Sequence, residues 1–102
     1  MISAVRTASI DNDNFEAALE WSVRVATHVN ETFGTNWTVY VNVTGNLREV
    51  HWSNDYESLA EYEEIGAKTQ ADEGFQALVA ENRENGYIGR ASLVDSLYRS
   101  VP

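Results

Sequence analysis

The hydrophobic period of the sequence changes near Trp37, and this change restricts the folds that the chain can adopt. Apolar residues over 14–33 recur at helical spacing, and Gly34 follows them where a left-handed C-cap is expected. Apolar and polar residues then alternate over 37–44, as they do in a strand with one buried face. The pattern predicts a helix with Asp13 as its N-cap, followed directly by a strand.

Two further strands are indicated on either side of these elements. Residues 2–10 alternate between two faces and are interpreted as the first strand. Gly45-Asn46 is a hairpin turn signal, and residues 47–52 are predicted to return from it as the third strand.

The rest of the chain begins as a helical region and ends in a segment with ambiguous spacing. Asn54 is predicted to cap the helical region, which breaks at 72–74 and ends at Gly86. The residues from Tyr87 onward favour a final strand of about fifteen residues, longer than most strands. Helical spacing of the last apolar residues is the alternative.

The predicted order of elements is therefore β-α-β-β-α-β, within a single domain that covers residues 1–102. Two right-handed βαβ units joined in this way give an α+β fold, the ferredoxin-like plait. Its four-stranded antiparallel sheet carries both helical regions on one face.

Composition and charge exclude several classes of function. Sixteen acidic and seven basic residues give a net charge of −9, which disfavours binding to nucleic acid. No apolar run approaches the roughly 20 residues of a membrane span, so no membrane association is expected and a cytoplasmic location is the default. Glu57, Glu61 and Glu64 share a helix face without a histidine, so they predict a solvated surface rather than a metal site.

The uncovered face of the predicted sheet carries aromatic as well as polar side chains, and a single protomer would leave these aromatic groups in water. Tyr40, His51 and either Tyr98 or Leu97 are expected on it. Docking two such sheets face to face would bury these side chains, so the sequence predicts a homodimer. A monomer with one wet sheet face is the alternative.

Two segments resemble a known superfamily. Residues 50–63 are similar to the junction between the third strand and second helix of dimeric α/β-barrel proteins, and 71–79 resemble the short helix that follows there. The similarity is greatest to the NIPSNAP-like and antibiotic-biosynthesis-monooxygenase-like branches. It implies a dimeric α/β barrel in a superfamily that includes cofactor-free monooxygenases, isomerases, haem-degrading enzymes and members of unknown chemistry.

The haem-degrading branch of that superfamily is not matched at its functional residues. Those enzymes resemble one another in an Asn, Trp and His set with the histidine on a helix. Here His51 and Trp52 are adjacent and point to opposite faces of one strand, and His28 is expected at the surface of the first helix. No cofactor and no metal are therefore expected.

His51 is the leading candidate for chemistry. Glu49 lies two residues earlier on the same strand face, where a carboxylate would orient the imidazole as a general base. Neighbouring strands would supply the binding groups Tyr40, Asn42, Arg6, Arg90 and Tyr98. His51 would take a proton from an acidic carbon or phenol, and Tyr40 with either arginine would stabilise the oxyanion. The alternative is an interface histidine, with Glu49 in an ion pair with Arg6.

These observations lead to two hypotheses for function. The first is a dimeric α/β-barrel protein that binds a small organic molecule in a cavity either between helices and sheet or between the two sheets. A cofactor-independent oxygenase or isomerase that acts on an aromatic or polyketide-like compound is the enzymatic form of this hypothesis. The second is a non-enzymatic homodimeric module. A ligand-sized cavity lined by His51 and Tyr40 would favour the first, and a sheet interface filled with side chains, with no pocket elsewhere, would favour the second.

Overall fold

The computed structural model describes residues 1–11 and 13–102, whose strands and helices follow the predicted order. The second helical region forms two helices, and a 3-10 turn precedes the last strand. None of the helices in these two ranges is long and apolar enough to cross a bilayer. The elements are β1 (Ile2–Ser9), α1 (Phe15–Phe33), β2 (Thr38–Val41), β3 (Glu49–Tyr56), α2 (Leu59–Ala71), α3 (Glu73–Asn85), the 3-10 turn (Arg90–Ser92) and β4 (Val94–Arg99).

The four strands form one antiparallel sheet in the order β2-β3-β1-β4. This is the order in which the two halves of a split βαβ arrangement interleave. The predicted α+β class and ferredoxin-like plait are therefore confirmed.

The strand register gives the sheet two different faces. Buried residues alternate along β1 and β3, because the helices cover one side only. Arg6 pairs with both Trp52 and Asp95, so these three side chains share the covered side, which we call the helix-side face. Tyr40 pairs with His51 on the opposite side, which we call the open face.

Helix α1 is capped at both ends and supplies much of the core. Its N-cap is Asn14 rather than the predicted Asp13, because the helix begins one residue later and the Asn14 Oδ1 atom accepts from the Ala17 N–H at 3.0 Å. Gly34 adopts the predicted left-handed C-cap with φ 70°. The buried residues of α1 are Ala18, Trp21, Ser22, Ala26 and Val29.

Two buried tryptophans connect the layers of the fold. Trp52 of β3 donates from Nε1 to the Ser22 carbonyl of α1 at 3.0 Å. Trp21 of α1 donates to the Leu78 carbonyl of α3 at 2.9 Å. The two rings meet edge to face with centroids 6.3 Å apart, so sheet, α1 and α3 are held together at one point.

Strand β3 begins two residues later than the predicted 47–52, because residues 47 and 48 belong to the turn, and it ends four residues later. Pairing with β1 continues as far as Ile2 opposite Tyr56, and this ladder keeps the chain extended. Asn54, predicted as a helix cap, is instead a buried β3 residue whose amide oxygen accepts a backbone N–H from the loop before β2. Ser58 caps α2, and the predicted break between the two helical pieces is confirmed.

The two edge strands are both shorter than predicted. β2 ends at Val41, and β4 begins only at Val94. Two side-chain hydrogen bonds fix the segment that precedes β4. The Asn82 amide oxygen accepts from the Ile88 N–H at 3.0 Å, and the Ser92 hydroxyl accepts from the Ser9 N–H of β1 at 2.9 Å. The predicted long final strand is therefore wrong.

Candidate functional site

A cavity of about 410 Å³ lies between the helix-side face and the three helices. Its wall is mainly apolar, and it includes all three tryptophans of the chain. This size and character are typical of sites for small organic molecules. The aromatic residues that line it are Trp21, Trp37, Trp52, Tyr56, Tyr62 and Phe75.

Aromatic contacts fix the part of the wall between α2 and the sheet. Trp37 meets Tyr56 edge to face with centroids 6.2 Å apart, and Tyr56 meets Tyr62 in the same way at 5.4 Å. Because each ring is held by a neighbour, the wall presents preformed aromatic surfaces to a ligand. Helices α1 and α3 add aliphatic side chains, among them Val29 and Val79.

The ion pair of Arg6 with Asp95 is one of the polar features of the cavity wall. Arg6 donates from Nε to Asp95 Oδ1 at 2.7 Å and from a terminal nitrogen to Oδ2 at 2.9 Å. The hydrogen bond to Asp95 raises the pKa of Arg6, and the same bond lowers the pKa of Asp95. Asp95 is therefore ionised at neutral pH, and the paired guanidinium presents oriented N–H groups rather than an unbalanced positive charge.

This ion pair predicts a specific acid sensitivity. The pKa of Asp95 in the folded state lies below its ordinary value of 3.8, so its contribution to stability is present above that pH and lost as pH falls through the folded pKa. We expect Asp95→Asn to be less stable than the wild type near neutral pH, with the difference shrinking in strong acid. Urea unfolding across this pH range measures it. The exposed Glu84→Gln is the control, and an equal Asp95→Asn deficit at every pH would contradict the prediction.

The sheet separates the predicted site residues into two groups. Arg6 and Arg90 line the cavity on the helix-side face, and Arg90 lies in the 3-10 turn rather than in a strand. The remaining candidates occupy the open face or its border: Tyr40, Asn42, Glu49, His51 and Tyr98. Tyr98, and not Leu97, is the open-face residue of β4, because its register partner on β1 is Ser3. One protomer therefore does not bring His51 and the two arginines into a common site.

His51 lies in a hydrogen-bonded network on the open face. Its Nε2 is 2.6 Å from the amide oxygen of Asn42, and its Nδ1 is 2.8 Å from the Thr7 hydroxyl. Because an amide oxygen only accepts, the neutral ring carries its proton on Nε2 and accepts from Thr7 at Nδ1. Glu49 is near as expected, 4.0 Å from Nε2. The predicted alternative pair of Glu49 with Arg6 is wrong, because Arg6 lies across the sheet.

His28 has a structural role that the sequence did not indicate. It was expected at the surface, but its side chain is only 32% exposed and its Nε2 lies 2.6 Å from Asp72 Oδ2. Asp72 also accepts from the Phe75 N–H as the N-cap of α3, and the His28 bond is the largest cause that lowers the pKa of Asp72. His28 therefore connects α1 to the start of α3.

Sequence reasoning missed several cavity residues. The sequence pattern assigns no role to Asp95, although a charged residue inside a predicted strand is a signal of a cross-strand partner. Helical spacing predicts Tyr62 only as part of an apolar helix stripe, and the sequence predicts the tryptophans as core or interface anchors. Their common cavity depends on the distance between helices and sheet, which periodicity does not report.

Comparison with known proteins adds the family. A model of the NIPSNAP family matches residues 4–93. The chain belongs to the NIPSNAP family. The resemblance seen in the sequence is thus confirmed. No curated protein is similar enough in sequence to this NIPSNAP chain to count as a match.

Solved structures share the fold of this NIPSNAP chain at low sequence identity. Protein Atu4242 from Agrobacterium tumefaciens has a TM-score of 0.80 at 16% identity, over 99% of this chain and 94% of that chain. An uncharacterized NIPSNAP domain protein from Burkholderia xenovorans has a TM-score of 0.80 at 15% identity, over 99% and 95%. A protein described as an antibiotic biosynthesis monooxygenase has a TM-score of 0.72 at 14% identity, over 100% of both chains. These likenesses show the fold alone.

Proposed function

We propose that this NIPSNAP chain binds a small, ring-bearing organic molecule in the cavity between the helix-side face and the helices. The observation that carries the proposal is the cavity itself, about 410 Å³ with three tryptophans in its wall. Its apolar surface would bury rings, and the Arg6 guanidinium would donate a hydrogen bond to a carbonyl or phenolate oxygen. His51 and Tyr40, which were predicted to line the ligand cavity, do not line this one, but a pocket of this size away from the sheet interface favours ligand binding over the purely structural module that the sequence left open.

The ion pair selects the charge of the ligand. Asp95 already balances Arg6, so a ligand with a neutral or weakly anionic oxygen suits this wall better than a strong dianion. Arg90, exposed in the 3-10 turn, is the other cation of the wall. A phenol or ketone of aromatic or polyketide-like type fits this combination.

The enzyme activity that suits this cavity is that of a cofactor-independent oxygenase or isomerase. Two arginines would stabilise an enolate or phenolate formed from the ligand. Asp95 does not serve as the base near neutral pH, because its bond to Arg6 lowers its pKa. The reacting proton would therefore be removed by Glu63 of α2, a further carboxylate of the cavity wall, or by water.

We further propose that two copies dock through their open faces as a homodimer. Tyr40 and Tyr98 are 53% and 58% exposed there, beside half-buried Val5 and exposed Val94. Aromatic side chains of this kind are enriched at interfaces, and a second copy of the same face is self-complementary under two-fold symmetry.

His51 would perform its predicted catalytic role in the space between the two docked sheets. Tyr40, Asn42, Glu49 and Tyr98 would line that space around it. In that role the proton would go to Nδ1, because Nε2 already donates to the Asn42 oxygen, and the Thr7 hydroxyl would turn from donor to acceptor.

A matched pair of variants tests ligand binding. Val79 lines the cavity, whereas Val23 on α1 is 50% exposed and lies outside its wall. We expect wild type to bind 1-naphthol with a Kd of about 100 μM or tighter. Val79→Phe should fill part of the cavity and raise that Kd at least about tenfold, while Val23→Phe leaves it unchanged. Isothermal titration calorimetry measures both, with circular dichroism to show that each variant is folded. Equal affinity in wild type and folded Val79→Phe would contradict the assigned site.

A further inference from the structure

Helix α2 forms the outer wall of the cavity through a single stripe of residues. Five of its positions line the cavity, at the i−4, i−3, i, i+3 and i+4 spacing that marks one helix face. Gly66 is the centre of this stripe, so the position that faces the cavity most directly has no side chain. The five positions are Tyr62, Glu63, Gly66, Thr69 and Gln70.

Nothing in the described protein requires glycine at this position. Its φ is not positive, so an ordinary L residue can adopt its backbone conformation. A Cβ built on Gly66 meets no atom within 4 Å. Gly74 on the neighbouring helix differs, because a Cβ there would clash with the His28 ring. The space in front of Gly66 is therefore open cavity rather than a close contact between helices.

Glycine inside a helix also has a cost. It destabilises a helix interior relative to alanine, and α2 has no fully buried residue to compensate. A residue that is unfavourable for the helix and unnecessary for packing is explained if something outside the chain occupies the space before it.

We propose that Gly66 sets the size limit of the ligand, because the ring system of the ligand occupies the volume that a side chain at this position would fill. The inference rests on the proposed binding function and extends it to ligands with several fused rings. Larger side chains at position 66 shorten the cavity from the α2 side, while the aromatic and Arg6–Asp95 walls stay intact. Gly66 is therefore a specificity-determining residue, not a catalytic one.

Three phenols of increasing size test the proposal: phenol, 1-naphthol and 9-phenanthrol. Calorimetry on Gly66→Leu is expected to show a Kd for 9-phenanthrol raised at least about tenfold, with phenol changed less than about threefold. Gly66→Ala should show a smaller loss in the same order of probe size. It should also raise the Tm of the ligand-free protein by about 4 °C, because alanine favours the helix. Ala67→Leu is the matched control, since Ala67 is the next residue of α2, is exposed, and does not line the cavity.

The outcomes separate this inference from the function on which it rests. Unchanged size preference in Gly66→Leu, with all probes still bound by wild type, would overturn the role of Gly66 alone. An equal loss for all three probes would also overturn it, because a glycine needed for helix motion would affect every ligand alike. A fall in Tm for Gly66→Ala would show that the fold requires the glycine. Failure of wild type to bind any of the three probes would overturn the binding function itself.

Discussion

Replacing Tyr40 and Tyr98 with glutamate should convert a dimer into a monomer. Each protomer would bring two new negative charges to the open face, in a chain that already carries a net charge of −9. Like charges buried in an interface cost several kcal/mol, so the dimer Kd should rise at least about 100-fold. Sedimentation velocity at about 10 μM measures the mass of each species.

Two comparisons make this result specific to the open face. Val23→Glu places a charge on an exposed apolar residue of α1 and should leave the dimer unchanged. The monomeric double variant should still bind 1-naphthol, because the cavity is built from one protomer. A wild-type chain that sediments as a monomer at this concentration would contradict the proposed dimer, although not the cavity.

Replacing Trp52 with alanine should destabilise the fold severely. Trp52 is 5% exposed, contacts Trp21 edge to face and donates to the Ser22 carbonyl. Removing a buried tryptophan side chain lowers the free energy of unfolding by about 3–5 kcal/mol, since the neighbours do not fully close the space. Because β3 and α1 meet at this ring, the cavity wall should be lost with it.

A conservative variant separates the contribution of ring packing to the free energy of unfolding from that of the hydrogen bond. Trp52→Phe keeps a ring in the core and loses the Nε1 donor, which contributes about 1 kcal/mol. Urea unfolding at one fixed protein concentration should place Trp52→Phe between wild type and Trp52→Ala. Equal stability of wild type and Trp52→Ala would show that the ring does not anchor the layers.

The fold could be predicted because its signals are local in the sequence. The helical period before Gly34, the alternation after Trp37 and the glycine at 86 each specify one element, and the order of elements then restricts the topology. Predictions were wrong where residues distant in sequence form hydrogen bonds with the backbone that override the local signal. Asn54 remains in a strand because β1 pairs with it, and the last strand is shortened by the side chains of Asn82 and Ser92.

The candidate site could be predicted only in part. The alternation of side chains along β3 predicts that His51 and Trp52 lie on opposite faces of the sheet, and the strand register confirms it. Alternation alone does not show which face of the sheet the helices cover, and therefore which face borders the cavity. The choice depends on the register of three strand pairs, which brings Asp95 beside Arg6 and leaves His51 beside Tyr40. Hence the arginines lie in the cavity and the histidine outside it.

A crystal structure of the protein with 1-naphthol would show whether the cavity is a binding site. We predict electron density for the naphthyl ring between α2 and the helix-side face, near Gly66 and the tryptophans, with its oxygen toward the Arg6 guanidinium. Density found only on the open face, or an empty cavity in a crystal that holds the compound elsewhere, would contradict this prediction.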